Sequence, residues 1–272
     1  MDDFTFTRDT SAPDPAEYDQ DFSDIQQKSL SARFFEYFSV QLIEQIAKKT
    51  TQRLVTADDL VPVNFADILR HFSITIRTSL LRLPSLGHYY EGNSAIGSLK
   101  EIMDRRNYYR IRNNMKCVYD DDVSEDVKHD DPLWKVRPVI ESIQKAMLKI
   151  PRGHGDLCVD EQIIPFTGGM PLSTKIVIKS KPHPCGLKLY AISKPSGVML
   201  NFLPYCGSKT FAEEHCNLPQ GEAAVVSLLE GVNTSTVIHL DRFFTGVFLA
   251  ENLLKRGFRV TGTIMNNRLP IN

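Results

Sequence analysis

Apolar positions along the chain follow two different rhythms. In the first half they recur at helical spacing. Phe34, Phe35, Phe38, Leu42, Ile43 and Ile46 trace one helical face, and Ile68, Leu69, Phe72, Ile76 and Leu80 trace another. The second run starts from an N-cap signal at Asn64, with Asp67 three residues on, and Pro84 ends it. A third helix is predicted from Ala95 to about Asp104. A fourth runs from Leu133 through Val136, Ile140 and Ile143 to Met147, with Pro138 near its first turn, where a missing N–H is tolerated. After Pro151-Arg152-Gly153-His154-Gly155 the rhythm shortens to strand length. Strands are predicted over 157–164, 175–179, 187–193 and 198–203, separated by Gly168-Gly169, Lys181-Pro182 and Pro195-Ser196-Gly197. A helix over 222–229, a strand over 236–240, a helix over 247–254 and a strand over 259–264 complete the series.

That order matches a ribonuclease-H-like sheet with one additional short strand. The predicted class is α/β: an N-terminal helical domain, then an incomplete ribonuclease-H-like mixed sheet with flanking helices. The boundaries are 1–28, 29–152 and 153–272. The first segment carries Asp2, Asp3, Asp9, Asp14, Glu17, Asp19, Asp21 and Asp24 with Pro13 and Pro15. It offers little apolar surface against the entropy of ordering, so it reads as a disordered acidic leader.

Composition narrows the partners. A chain of 272 residues, 42% hydrophobic, can bury the cores of two domains. With 32 Lys+Arg against 33 Asp+Glu there is no global attraction to nucleic acid, so any DNA surface must be a local patch. Five cysteines without a CxxC pair argue against a disulfide framework and for a reducing compartment. Neither a signal peptide nor an apolar run of membrane-spanning length is present, and no membrane partner is expected.

The candidate chemistry lies in two short apolar runs that each end on a carboxylate. Asp160 follows Leu157-Cys158-Val159. Asp241 follows Val237-Ile238-His239-Leu240, 81 residues later. Strand ends converge in such a sheet, so both carboxylates are expected within about 4 to 8 Å of each other, a spacing that suits divalent metal. Glu161 points to the opposite face of a regular strand and is not expected to share the metal.

From about Phe34 to Asn272 the chain resembles the piggyBac transposase family. The resemblance is carried by Val159-Asp160-Glu161-Gln162-Ile163-Ile164-Pro165-Phe166, by Lys181-Pro182-His183 with Gly186-Leu187-Lys188, and by Asp241-Arg242-Phe243-Phe244-Thr245 leading to Leu249 and Leu253-Leu254. Leu83-Pro84-Ser85 with Tyr89-Tyr90, and Asp131-Pro132-Leu133-Trp134-Lys135-Val136-Arg137-Pro138, add to it. The resemblance implies a dimerising, DNA-contacting helical domain before a catalytic domain in which three aspartates hold two Mg2+ ions for cut-and-paste DNA transposition in the nucleus. Asp160 and Asp241 match the first two. The third lies well beyond the second in the family, whereas the sequence here extends 31 residues past Asp241, so no candidate is named. The family's Phe-x-Gly-Arg is Phe166-Thr167-Gly168-Gly169 here, and Cys185 stands where a Trp is customary. The expectation is a fragment, truncated product or relic, catalytically inactive in this form. It should self-associate, or require the missing C-terminal segment, through apolar surface left around Val260, Ile264 and the 34–46 helix. The other reading is a domesticated, non-catalytic nuclear protein that binds DNA or chromatin.

Further residues admit two readings. Arg105, Arg106, Arg110 and Arg112, with Lys116, Tyr108 and Tyr109, could track a phosphate backbone or form a solvated helix face. Lys175, Lys179 and Lys181 alternate on one strand face that either meets phosphate or protects a sheet edge, and His183 and Lys188 belong to the family-like motifs. Cys206, His215 and Cys216 lack zinc spacing, and Asp120-Asp121-Asp122 lacks the glycine and terminal Glu of a calcium loop.

Overall fold

The computed structural model describes residues 29–80, 83–90, 99–152, 155–166, 175–177, 185–215 and 217–269. The chain divides into two compact units, one built mainly from Phe35–Ala146 and one mainly from the chain after Met147.

The first unit is helical. Its elements are α1 (Leu30–Tyr37), α2 (Val40–Val55), α3 (Phe65–Leu80), α4 (Leu86–Tyr90), α5 (Leu99–Ile102), α6 (Arg105–Asn114), α7 (Glu125–Asp130) and α8 (Arg137–Met147). The single apolar stripe from Phe34 to Ile46 is two helices, because Ser39 caps the second: its Oγ accepts from Leu42 N at 3.2 Å. At α3 the N-cap is reciprocal. Asp67 N donates to Asn64 Oδ1 at 3.0 Å and Asn64 N donates to Asp67 Oδ2 at 3.1 Å. The predicted third helix is present only as Leu99–Ile102, with 95–98 outside the described residues. Asp104 does not end a helix but begins α6, accepting from Asn107 N at 2.9 Å. That helix was hidden because only Tyr108 and Ile111 of its ten residues are buried, among arginines and asparagines.

Packing against α3 and α6 buries Leu42, Ile43 and Ile46 of α2, so this part of the stripe is covered rather than left open as expected, while Phe34, Phe35 and Phe38 are half-buried and Val40 is exposed. His71 is buried in the same core, its ring stacked on Tyr108 with centroids 4.4 Å apart, and Tyr108 Oη lies 3.0 Å from Thr75 Oγ1. Burial, and secondarily the charge of Arg112, pushes the His71 pKa down to about 4.

The second unit holds β1 (Asp156–Pro165), β2 (Lys175–Val177), β3 (Cys185–Ser193), β4 (Met199–Pro204), α9 (Gln220–Leu228), β5 (Val237–Leu240), α10 (Val247–Lys255) and β6 (Arg259–Gly262). Its sheet runs β2-β3-β1-β5-β6, with β4 also on β3. β1 with β3 and β3 with β4 are antiparallel; β1 with β5 and β5 with β6 are parallel. The chain therefore forms the meander first and then uses α9 and α10 as crossovers, the connection that parallel neighbours require. In this unit the element order read from the sequence is present among the described residues.

One sheet face carries the core. Leu157 and Val159, Tyr190 and Ile192, Leu200, Ile238 and Leu240 pack with Ala224, Val225 and Leu228 of α9, Leu249 and Leu253 of α10, and Phe244 and Phe258. Val260 packs against this cluster, so it too is covered, and Ile264 is half-buried. Exposed apolar side chains of this unit include Leu148, Ile164, Leu269, and Phe248 and Leu254 of α10. β1 alternates cleanly, with Leu157 and Val159 inward and Cys158 and Asp160 exposed on the other face.

The buried imidazole gives a pH test. Folded His71 takes a proton only near pH 4, whereas an unfolded histidine takes one near 6.5. Its contribution is complete above about pH 6.5 and falls toward pH 4, by at most roughly 1.4 kcal/mol per pH unit. Urea unfolding of wild type and His71→Phe between pH 7 and 4.5 should show a shallower loss in the variant. Equal slopes would contradict this reading.

Candidate functional site

The β1–β5 pairing assembles the site. Its register joins Asp156 with Val237, Leu157 with Ile238, Cys158 with His239 and Val159 with Leu240. One step further, just past the end of the β1–β5 ladder, brings Asp160, midway along β1, level with Asp241, which follows the last residue of β5, where neighbouring backbones run about 4.8 Å apart. Both aspartates are exposed, while Val159 and Leu240 behind them are buried. Each carboxylate is half committed: Asp160 Oδ1 accepts from Glu161 N at 2.7 Å, and Asp241 Oδ1 accepts from Phe243 N at 2.5 Å. Among the described residues the second oxygen of each accepts no hydrogen bond. Partial burial, and then the charges of Asp160 and Asp241 together, raise the pKa of the Cys158 thiol, so one sulfur feels both carboxylates. Beside it, His239 Nε2 lies 3.5 Å from Asp156 Oδ1. Cys158 and His239 were not singled out from the sequence. Their signal was parity, since each stands two residues before an aspartate and so shares its face.

The turn after β5 sets the direction of Asp241. The Asp241 carbonyl accepts from Phe244 N and Thr245 N, both at 3.1 Å, and from Thr245 Oγ1 at 2.7 Å. Two glycines let neighbouring elements close on this turn. A Cβ on Gly221 of α9 would lie 2.7 Å from the Phe243 carbonyl oxygen, and one on Gly262 of β6 would lie 2.4 Å from Thr245 Oγ1. The Phe243 ring packs edge-on against Phe244, with centroids 5.0 Å apart. Asp241 is thus presented by a closely packed turn.

Other candidate residues take different places. Glu161, with Oε2 buried, faces away from the exposed side of β1 that carries Asp160, as strand alternation requires. Lys188 is only 7% exposed, with Nζ 4.6 Å from the centre of the Tyr190 ring and 4.1 Å from that of Phe243, an internal cation rather than a surface one. Arg110 is committed to the helical unit. Its Nε and Nη2 donate to Asp59 at 2.5 and 3.0 Å, Nη2 also reaches the Val61 carbonyl, and the hydrogen bond holds the Asp59 pKa below its ordinary value. Arg105, Arg106 and Arg112 are exposed, and Arg105 and Arg112 each stand 6.0 Å from the Tyr109 ring centre. Lys179, Lys181 and His183, and the side chain of Lys175, lie outside the described residues.

His215 groups with neither cysteine named alongside it in the sequence. Cys206 is buried, Cys216 lies outside the described residues, and His215, Glu214 and Glu230 offer donor atoms within 4.8 Å of one another. Both glutamates are exposed and His215 Nε2 lies 3.5 Å from Glu214 Oε1, as in a surface ion cluster. The Asp120–Asp122 turn is tied by Lys49 to Asp122 and by Lys116 and Lys135 to Asp120, which accounts for its acidic run without calcium.

Two comparisons agree with this geometry. The family model described as Transposase IS4, a DDE transposase domain, matches residues 31–271. Among solved structures, the chain is similar to one from "Cryo-EM structure of piggyBac transposase synaptic complex with hairpin DNA", with a TM-score of 0.74, 21% identity, and coverage of 88% of this chain and 52% of that one. At that identity the likeness shows the fold, and this chain spans about half the length of the solved one. Both the helical unit and the sheet with its two level aspartates fall inside the family match, and the chain belongs to the IS4-type DDE transposase family.

Proposed function

We propose that this chain is a piggyBac-like, transposase-derived protein that contacts DNA, with Asp160 and Asp241 holding divalent metal at the site of strand cleavage and transfer. The observation that carries the reading is the β1–β5 register, which makes two exposed carboxylates neighbours where the β1–β5 ladder ends. Their donor set fits magnesium. Both are hard oxygen ligands, and each keeps one oxygen uncommitted among the described residues. A bound metal pair would activate an attacking hydroxyl and stabilise a leaving 3′-oxygen. Asp160 and Asp241 bind and orient, with the Glu161 and Phe243 amides fixing one oxygen of each.

The solved relative is a transposase in a complex with hairpin DNA, which supports DNA as the partner; the nucleus is proposed as the compartment only because a chromosomal DNA partner would be met there. With a net charge of −1 the contact must be local, and exposed Arg105, Arg106 and Arg112 with Tyr109 offer such a patch. For about three phosphate contacts the logarithm of the binding constant should fall with a slope near −3 against the logarithm of salt, and Arg106→Ala should make the slope shallower by about one. A salt-independent constant would contradict this.

Ligand supply separates an enzyme from a binding module. Along the exposed side of β1 the next carboxylate is Asp156, four residues and therefore about 13 Å from Asp160. Two carboxylates under-ligate a metal pair, so the site formed by the described residues supports a DNA-binding or chromatin-associated reading over efficient turnover. Mn2+ titration should show weak binding that Asp160→Asn and Asp241→Asn each reduce; variants that bind like wild type would remove the metal assignment. On hairpin and duplex DNA with Mg2+ the chain should nick no faster than Asp160→Ala. Fast nicking lost in that variant would overturn the non-catalytic part of the reading.

A further inference from the structure

Phe243 is the residue through which the protein aims Asp241. Its N–H holds Asp241 Oδ1 at 2.5 Å, so the orientation of this part of the turn decides where the remaining carboxylate oxygen points. That turn receives a cation from a later segment of the chain. Arg268, at the end of the short Asn266–Arg268 turn beyond β6, donates through Nη1 to the Phe243 carbonyl at 2.8 Å and to the Thr245 carbonyl at 2.9 Å. The two hydrogens of this one nitrogen satisfy carbonyls two residues apart, which fixes the intervening backbone. Arg268 is half-buried, so these bonds are shielded more than surface contacts would be.

The surroundings hold Arg268 and the turn together. Glu222 of α9 is 6% exposed; burial raises its carboxyl pKa and the nearby charge of Arg268 lowers it in part. A Cβ on Gly246, the residue after Thr245, would come within 2.5 Å of Glu222 Oε1, so this carboxylate lies against the end of the turn. A second internal cation, Lys188, faces the Phe243 ring at 4.1 Å.

We propose that Arg268 is a positioning residue for Asp241: it fixes the Phe243–Thr245 backbone and thereby keeps one Asp241 oxygen on the Phe243 amide and the other turned outward for metal. The inference rests on reading Asp241 as a metal-holding carboxylate. It assigns the site a part lying 27 residues beyond that aspartate in the sequence.

The test compares wild type, Asp241→Asn, Arg268→Met, Arg268→Lys and the Arg268→Met/Asp241→Asn double variant of the 272-residue chain by Mn2+ titration followed by electron paramagnetic resonance. Arg268→Met should weaken Mn2+ by about tenfold, the scale for residues that orient a metal ligand, with Arg268→Lys in between. The double variant should bind no more weakly than Asp241→Asn, because Arg268 acts through Asp241. Losses that add, or an Arg268→Met variant that binds like wild type, would overturn the proposal.

Amide exchange at Phe243 gives a second readout, independent of metal. It should accelerate in Arg268→Met while amides of β1 keep their protection, and unchanged exchange would overturn the positioning role. Should Arg268→Met fail to fold, Arg268→Lys carries both comparisons, expected weaker than wild type in Mn2+ affinity and faster in Phe243 exchange. If Asp241→Asn binds Mn2+ like wild type, the metal reading falls by itself, and the exchange result still decides the role of Arg268.

Discussion

The parallel pairing of β1 with β5 is the constraint on which the rest of the site depends. Leu157 with Ile238 and Val159 with Leu240 are register partners, and all four are buried on the helix-covered face. A slip of one residue would turn one strand's pair outward and bring polar partners in. Each such side chain is worth about 1.5–3 kcal/mol when buried, so the slip costs several kcal/mol against a typical domain stability of about 5–15. Register is therefore fixed by the core, and the core aligns Asp160 with Asp241.

The same alternation explains the chemical asymmetry of the sheet. Helices α9 and α10 supply apolar surface to one side, where Ala224, Val225, Leu249 and Leu253 meet the strands. The other side of β1 and β5 carries Asp156, Cys158, Asp160 and His239, which are exposed or half-buried. Carboxylates persist there without the desolvation cost that burial would impose. The turn after β5 is firm for the opposite reason: Phe244 is fully buried beneath it, and Gly221 and Gly262 let α9 and β6 approach its backbone closely.

Much of this was legible in the sequence because the signals were local. Short β-branched runs between Gly-, Pro- and Ser-bearing turns gave the strands, Asn64 with Asp67 gave a helix start, and two apolar runs ending in Asp gave the candidate pair. Other features were not legible, for physical reasons. The break at Ser39 falls inside an apolar stripe whose period continues across it. Helix α6 buries too few residues to show a period, and the arginines that drew attention there divide, with Arg110 held by Asp59 and Arg105, Arg106 and Arg112 exposed. Arg268 carried no signal in the sequence and Lys188 only a family-like motif, because the Phe243 ring and the carbonyls that receive them come from distant segments, a relation no local pattern encodes. The covering of Ile43, Ile46 and Val260 likewise depends on tertiary neighbours rather than on the stripe they belong to.

The central claim is that the β1–β5 register makes Asp160 and Asp241 joint ligands of one metal centre. Crystals of the chain soaked in Mn2+ and measured at the manganese absorption edge test it most directly. An anomalous difference peak about 2.1–2.6 Å from an oxygen of each aspartate is the result this account predicts. Manganese bound at Glu214, His215 and Glu230 with none at Asp160 and Asp241 would contradict it.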